Sequence, residues 1–255
     1  MKIGNFEIGD KHPCFIIAEA GSNHNRDFAT AKQLIDVAVE AGADAVKFQI
    51  FSADAIYSKK TPMASYLKKE KLAKDDETLW DVIKKNEIPR HWIPDLMACC
   101  REKGIMFLST PFDLAAVDEL EAAGVAAFKV ASFEITHLPM LRKISATGRP
   151  IILSTGMANL EDIEVALAAI KEGGNSQVAL LHCAIAYPPR YEDINLRAMD
   201  TMKQAFQLPV GFSDHTRGHI TDVAAVARGA CIIEKHFTLS RSMQGPDHPF
   251  SLEPA

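Results

Sequence analysis

The chain has no Cys-x-x-Cys pair, and its five cysteines, Cys14, Cys99, Cys100, Cys183 and Cys231, show no ligand spacing suited to zinc. An odd, unpatterned set of thiols argues against a disulfide framework and fits reduced core thiols in a cytoplasmic protein. No window approaches eighteen uninterrupted apolar residues, and the opening stretch MKIGNFEIGDKHP lacks the apolar core of a secretory signal. Neither a membrane span nor a targeting segment is expected. There is no basic excess either: 28 Lys and Arg face 33 Asp and Glu, a net charge of -5, and no basic stripe marks a nucleic-acid surface. An anionic small molecule stays compatible, because a few lysines focused in one cleft outweigh a mildly negative exterior.

What is present is an ordinary globular composition, 47% hydrophobic and 24% charged over 255 residues, enough for a large core in one domain. Short apolar runs rich in β-branched residues occupy 14–20, 45–50, 105–110, 127–132, 150–155, 177–183, 209–213 and 231–237. Between them lie segments of helical period, such as 28–42, where Ala31, Leu34, Ile35, Ala38 and Val39 share a face and Gly42 suits the C-terminal cap. Segments 113–124 and 220–229 repeat the device, each stopped by glycine. Eight strand–helix units predict an α/β fold, most simply a TIM (β/α)8 barrel with its chemistry at the C-terminal strand ends. A doubly wound open sheet is the alternative, and it lacks the expected G-x-G-x-x-G after the first strand.

Two segments break the repeat. Residues 51–77 form a polar, lysine-rich connection, either an active-site cover or a surface insertion. After the eighth strand the sequence TLSRSMQGPDHPFSLEPA offers no eighth helix. The expected organisation is one barrel domain over 1–255 that lacks this helix.

In a barrel every strand ends on one rim, so the terminal polar residues should gather there: Glu19, Lys47, Gln49, Ser109, Thr110, Lys129, Ser132, Ser154, Thr155, His182, Ser213, Asp214, His215, Glu234 and His236. Burying such groups without partners costs kilocalories each, so they need one another, water, a metal or a ligand. His215 and His236 close neighbouring strands and could converge on one cation, zinc, iron, nickel, copper or manganese; the alternative is a pair of hydrogen-bonded core histidines. Lys47 and Lys129, inside apolar strands, read either as salt bridges to Glu19 or Glu234 or as an anion site. In the second case Thr110, Ser132, Ser154 and Ser213 would donate hydrogen bonds to carboxylate and phosphate.

Whole stretches are more specific: FIIAEAGSNHNRDFATAKQLIDVAVEAGADAVKFQ, FLSTPFD, FKVASFE, PIILSTGM, LLHCAIAYPPRYEDINLRAM, GFSDHTRG and IEKHFTLSRSMQGPDHPFSLEP. Together they resemble the sialic acid synthase family, the phosphoenolpyruvate-condensing enzymes that make N-acetylneuraminate and related nonulosonic acids. The resemblance covers nearly the entire chain. It implies a TIM barrel and a divalent metal, manganese first, with magnesium or cobalt as alternatives. It also implies joining of phosphoenolpyruvate to an open-chain N-acylated amino sugar with release of phosphate. On this resemblance His215 and His236 are the metal ligands. Lys47, Thr110, Lys129, Ser132, Ser154 and Ser213 fall at the phosphoenolpyruvate site, Glu19, Gln49, Tyr187 and Asp247 at the sugar, and Glu134 at the water or its proton.

The sequence departs from the family pattern in three places. Arg26 stands where glycine is usual, and Ala184, Ile185 and Ala186 replace a more polar HCTSxYP or HCTNxYP, an apolar version associated with the spore-coat and surface-polysaccharide branch. The antifreeze-like domain that follows the barrel in typical relatives is absent from this sequence. A homodimer, or a separate antifreeze-like partner, is therefore expected to cover the seam left by the missing helix. A partner-dependent barrel that binds without turnover, and a metal-dependent aldolase or isomerase, are the rival readings.

Overall fold

The computed structural model describes residues 1–63 and 76–254. A short antiparallel hairpin, β1 (Lys2–Ile3) and β2 (Phe6–Glu7), precedes eight parallel strands. These are β3 (Phe15–Gly21), β4 (Ala45–Ile50), β5 (Met106–Pro111), β6 (Phe128–Val130), β7 (Ile151–Ser154), β8 (Val178–Cys183), β9 (Val210–Asp214) and β10 (Ile232–His236). They close in the order β10-β3-β4-β5-β6-β7-β8-β9, a complete barrel. The expected fold is the observed one, with each strand within a residue or three of its expected bounds.

Side-chain alternation divides each strand between two environments. One parity points into the barrel: Ile17, Ala45, Leu108, Ala127, Ile152, Ala179, Leu181 and Ile232 form a buried apolar layer, closed from below by Ile3 and Ile8 of the N-terminal hairpin region. Two residues further along, the same parity carries Glu19, Lys47, Thr110, Lys129, Ser154, Cys183, Ser213 and Glu234, so the interior turns polar toward the C-terminal ends. The other parity packs against the helices, and the larger core lies in that layer. The hairpin was not anticipated from the sequence, because its strands are only two residues each.

The helices start where short polar side chains can hold the first free amides. Asp27 accepts from Thr30 N before helix Phe28–Glu40, and Asp113 accepts from Ala116 N before helix Leu114–Ala123. Asn159 and Asp162 form a reciprocal capping box before helix Leu160–Glu172. Ala31, Leu34, Ile35 and Ala38 are buried as expected, but Val39 is 37% exposed. Within the atypical connection, helix Ala53–Ile56 and then helix Leu79–Asn86 flank residues 64–75, which lie outside the described residues.

Beyond β10 the described residues contain no α-helix, only a bridge between Phe237 and Leu252 and a 3-10 turn at His248–Phe250. Ile220 and Val223 on helix Ile220–Ala227 are 70% and 63% exposed, and Ile16 on β3 is 37% exposed. These three apolar side chains are exposed on β3 and helix Ile220–Ala227.

Candidate functional site

At the C-terminal mouth of the barrel lies a cavity of about 1210 Å³. Its floor is the polar layer of inward-facing residues. Lys47 Nζ lies 2.9 Å from Glu19 Oε2 and 3.6 Å from Glu234 Oε2, and donates to Thr110 Oγ1 at 3.0 Å. Lys129 Nζ lies 3.3 Å from Glu234 Oε1, which also accepts from Ser213 Oγ at 2.8 Å. Gln49 Nε2 donates to Glu19 Oε1 at 2.7 Å. Two ammonium groups and two carboxylates thus alternate across the floor, all nearly inaccessible to bulk solvent. Both lysines form the ion pairs that the sequence left open as one alternative, and both still face the cavity.

The electrostatics follow from that alternation. Burial alone would raise the Glu234 carboxyl, but the Lys129 and Lys47 ammonium groups outweigh it and hold the pKa near about 2. Burial would likewise lower Lys47, and Glu19 and Glu234 more than reverse it, so its pKa is raised. Glu134 is the contrasting case. It sits in the 3-10 turn Ser132–Glu134 after β6, and burial pushes its pKa up to about 7 against a smaller opposing pull from Lys129. Its Oε2 is buried without a hydrogen-bond partner.

Hydroxyl groups line the same floor. Ser132 Oγ accepts from Gly156 N at 2.9 Å, which leaves its proton free to donate. Ser154 Oγ is buried with no partner at all, so it is an unused donor aimed at the cavity.

His215 and His236 stand side by side, with ring centroids 5.4 Å apart. His215 Nδ1 lies 3.1 Å from the carbonyl of Ala184. A carbonyl can only accept, so this nitrogen carries the proton and Nε2 keeps its lone pair. Burial, then the neighbouring His236, lowers the His215 pKa to about 3, which keeps the ring neutral as a ligand must be. His236 Nδ1 is buried without a hydrogen-bond partner, 4.0 Å from Asp247 Oδ2. Among the described residues no three His, Cys, Asp or Glu side chains gather closely enough to hold a metal by themselves. Two imidazoles beside a carboxylate fit a divalent cation whose remaining donors come from water or substrate oxygens.

Asp247 reaches the mouth because two irregular segments clasp each other. Ser22 Oγ donates to Asp247 Oδ2 at 2.8 Å, Asn23 Nδ2 donates to Phe237 O at 2.7 Å, and His248 Nε2 lies 3.0 Å from Asn25 Oδ1. Gly21 permits the approach: its φ is +53°, and a Cβ there would lie 2.9 Å from Asp247 Oδ2 and 3.1 Å from His236. Arg26, in the position where glycine was expected, has φ +55° and donates to Lys84 O at 3.2 Å, tying this loop to helix Leu79–Asn86. Tyr187 packs on His215 at 4.4 Å between ring centroids.

All thirteen residues singled out from the sequence, Glu19, Lys47, Gln49, Thr110, Lys129, Ser132, Glu134, Ser154, Tyr187, Ser213, His215, His236 and Asp247, line this one cavity. Four of the wider strand-end set do not. Ser109, Thr155, His182 and Asp214 have the opposite parity and face the helix layer, where Ser109 donates to Phe48 O, Thr155 to Leu181 O, and His182 meets Ile194 O. Phe250 was missed. Its ring lies 5.1 Å from His236 and 6.2 Å from His215, brought there by an irregular segment that has no periodicity to betray it. Ile185 and Ala186, two of the apolar replacements, also line the wall.

Such a mouth defines a class, the α/β barrels that gather polar and ionisable side chains into a cavity at the C-terminal strand ends. The chain belongs to the NeuB family, the sialic acid synthase family whose motifs it carries; the family model matches residues 34–255. It is 50% identical over 241 residues to the N,N'-diacetyllegionaminic acid synthase of Campylobacter jejuni, covering 94% of this chain and 72% of that protein. The spore coat polysaccharide biosynthesis protein SpsE of Bacillus subtilis is 42% identical, covering 100% of this chain and 67% of that protein. The crystal structure of N-acetylneuraminic acid synthetase from Leptospira borgpetersenii, in complex with citrate, superposes with a TM-score of 0.89 at 36% identity. That match covers 100% of this chain and 83% of the other.

Proposed function

We propose that this chain is a nonulosonic acid synthase, which condenses phosphoenolpyruvate with an open-chain N-acylated amino sugar and water, releasing phosphate. The observation that carries the reading is the buried pair Lys47 and Lys129 on the cavity floor beside the paired imidazoles of His215 and His236. The names of the relatives, legionaminic and N-acetylneuraminic acid synthases, agree with it.

Lys47 and Lys129 would exchange Glu19 and Glu234 for the phosphate and carboxylate of phosphoenolpyruvate, with Thr110, Ser132, Ser154 and Ser213 donating hydrogen bonds. Preformed cations of this kind stabilise charge without reorganising during the reaction. Glu19, Gln49, Tyr187 and Asp247 would orient the sugar so that its aldehyde carbon faces C3 of phosphoenolpyruvate. A divalent cation, manganese in preference to magnesium or cobalt, would be held by His215 and His236 and supplies Lewis acidity toward a carbonyl oxygen. A bond forms from C3 to the aldehyde carbon as the carbonyl π pair moves onto the aldehyde oxygen, which takes up a proton to become a hydroxyl, and C2 is left as an oxocarbenium. Glu134, with its carboxyl poised near neutrality, takes the proton of the water that adds at C2. The bond from C2 to the bridging phosphate oxygen then breaks with its electrons leaving on phosphate, and the C2 hydroxyl gives its proton to the departing phosphate as C2 becomes a ketone.

The apolar wall of Ile185 and Ala186 supports an acceptor that carries apolar acyl groups, in keeping with the diacetylated product in the name of the Campylobacter jejuni relative. The absence of any described helix long and apolar enough to cross a membrane is compatible with a cytoplasmic setting for this synthesis. The test is phosphate release from phosphoenolpyruvate with a panel of N-acylated mannosamine-type sugars. Release should require both the sugar and a divalent cation. Tight phosphoenolpyruvate binding with no release for any sugar would favour the partner-dependent barrel; sugar cleavage without phosphoenolpyruvate would favour an aldolase.

A further inference from the structure

The Glu-Lys-His run that ends β10 contains one residue with no place in the cavity. Lys235 has the outward parity, and the residue is 7% exposed in the layer between the barrel and helix Ile220–Ala227. There it meets Asp214, its register partner on β9. Lys235 Nζ donates to Asp214 Oδ2 and to the carbonyl of Thr216, each at 2.5 Å. The Asp214 carboxylate also accepts from Thr216 N and Thr216 Oγ1 at 2.8 Å and from Thr221 Oγ1 at 2.7 Å. Asp222 lies 3.8 Å from the same ammonium. The carboxylate thus accepts from four donors, and none of these groups faces the cavity.

Both members of the ion pair are immediate chain neighbours of an imidazole: Asp214 precedes His215, and Lys235 precedes His236. Lys235 also binds the residue on each side of His215, through the Asp214 side chain and the Thr216 carbonyl. A buried ion pair is a poor source of stability, since apolar residues of similar volume commonly serve as well. It is a good source of geometry when it ties two main chains at one level.

We infer that Lys235 and Asp214 are positioning residues that set the spacing of the His215 and His236 rings from outside the barrel. They fix the Asp214–Thr216 turn and the β9–β10 register, so that both rings reach one cation. This rests on the reading that the imidazole pair holds a divalent cation. Thr221, bonded to the same carboxylate from the helix, is the third part of the clamp.

The test uses the full chain and Mn2+ alone, followed by the EPR signal of the free ion, with phosphoenolpyruvate affinity measured separately. The double variant Asp214→Asn with Lys235→Met removes both charges together, and Thr221→Val removes one donor without disturbing the pair. The double variant is expected to bind Mn2+ at least tenfold more weakly and Thr221→Val about threefold more weakly, with phosphoenolpyruvate affinity within twofold of the unaltered chain. Unchanged Mn2+ affinity in both variants, or an equal loss of phosphoenolpyruvate affinity, overturns the clamp. Should the double variant not fold, Thr221→Val decides by the same criteria. If the unaltered chain binds no Mn2+, the metal reading fails, and a crystal structure of Thr221→Val decides the clamp separately. Displaced rings support it, and rings still 5.4 Å apart overturn it.

Discussion

Glu134 and Ser154 show how burial alone makes a side chain useful. Burial raises the Glu134 pKa to about 7, so as a general base it is half charged at neutrality and protonated in acid. Turnover per free enzyme and substrate should therefore rise with pH through about 7. Glu134→Gln should lower kcat by roughly a hundredfold or more and abolish that acidic limb, seen in a pH–rate profile. The linked stability has the opposite sign. The folded state retains the proton between about 4.5 and 7, where the unfolded chain has lost it, so stability falls across that window as pH rises and Glu134→Gln removes the slope. Ser154 bonds to nothing in the protein. Ser154→Ala should leave the melting temperature nearly unchanged, while the KM for phosphoenolpyruvate rises roughly tenfold to a hundredfold, the worth of one hydrogen bond to a charged group.

At the scale of elements, the strands were legible as apolar runs, and each run ended in the polar residues that mark the rim. Which of those residues entered the cavity was harder to read. Parallel strands buried on both faces are apolar at odd and even positions alike, so composition does not say which parity points inward. Asp214 therefore looked like a companion of His215 and turned out to lie behind it, paired with Lys235. Closure of the barrel makes Gly211 a second informative position. A Cβ there would lie 2.4 Å from Ile232 O and 2.7 Å from Ile232 Cβ, a clash that neighbouring backbone must absorb. Gly211→Ala should destabilise the fold by roughly 1–3 kcal/mol in chemical denaturation, more than an added methyl on an open surface.

For the molecule as a whole, the exposed side chains of Ile16, Ile220 and Val223 are the most consequential surface. We propose that a second copy covers these exposed side chains, so this chain should run as a dimer in size-exclusion chromatography with light scattering. Ile220→Lys with Val223→Lys should shift it to monomer. A monomer before substitution would show the exposure to be tolerated. Chelation is the complementary whole-molecule test: removing divalent cations should abolish phosphate release while phosphoenolpyruvate still binds, because the anion floor and the imidazole pair are separate groups of atoms.

The sequence by itself determined the number and order of the eight barrel strands, the glycine-stopped helices between them and the family, because these depend on patterns and motifs contiguous along the chain. Even Glu19, Lys47, Lys129 and the two histidines could be named, since each is an ionisable group placed where an apolar strand ends. Only the tertiary structure decided that Glu234 joins both lysines, that Ser154 is left unpartnered, that Phe250 closes over the rings and that Lys235 braces them from behind. Each of those facts is a distance between residues remote in sequence, fixed when eight strands close at one register, and no local pattern encodes it.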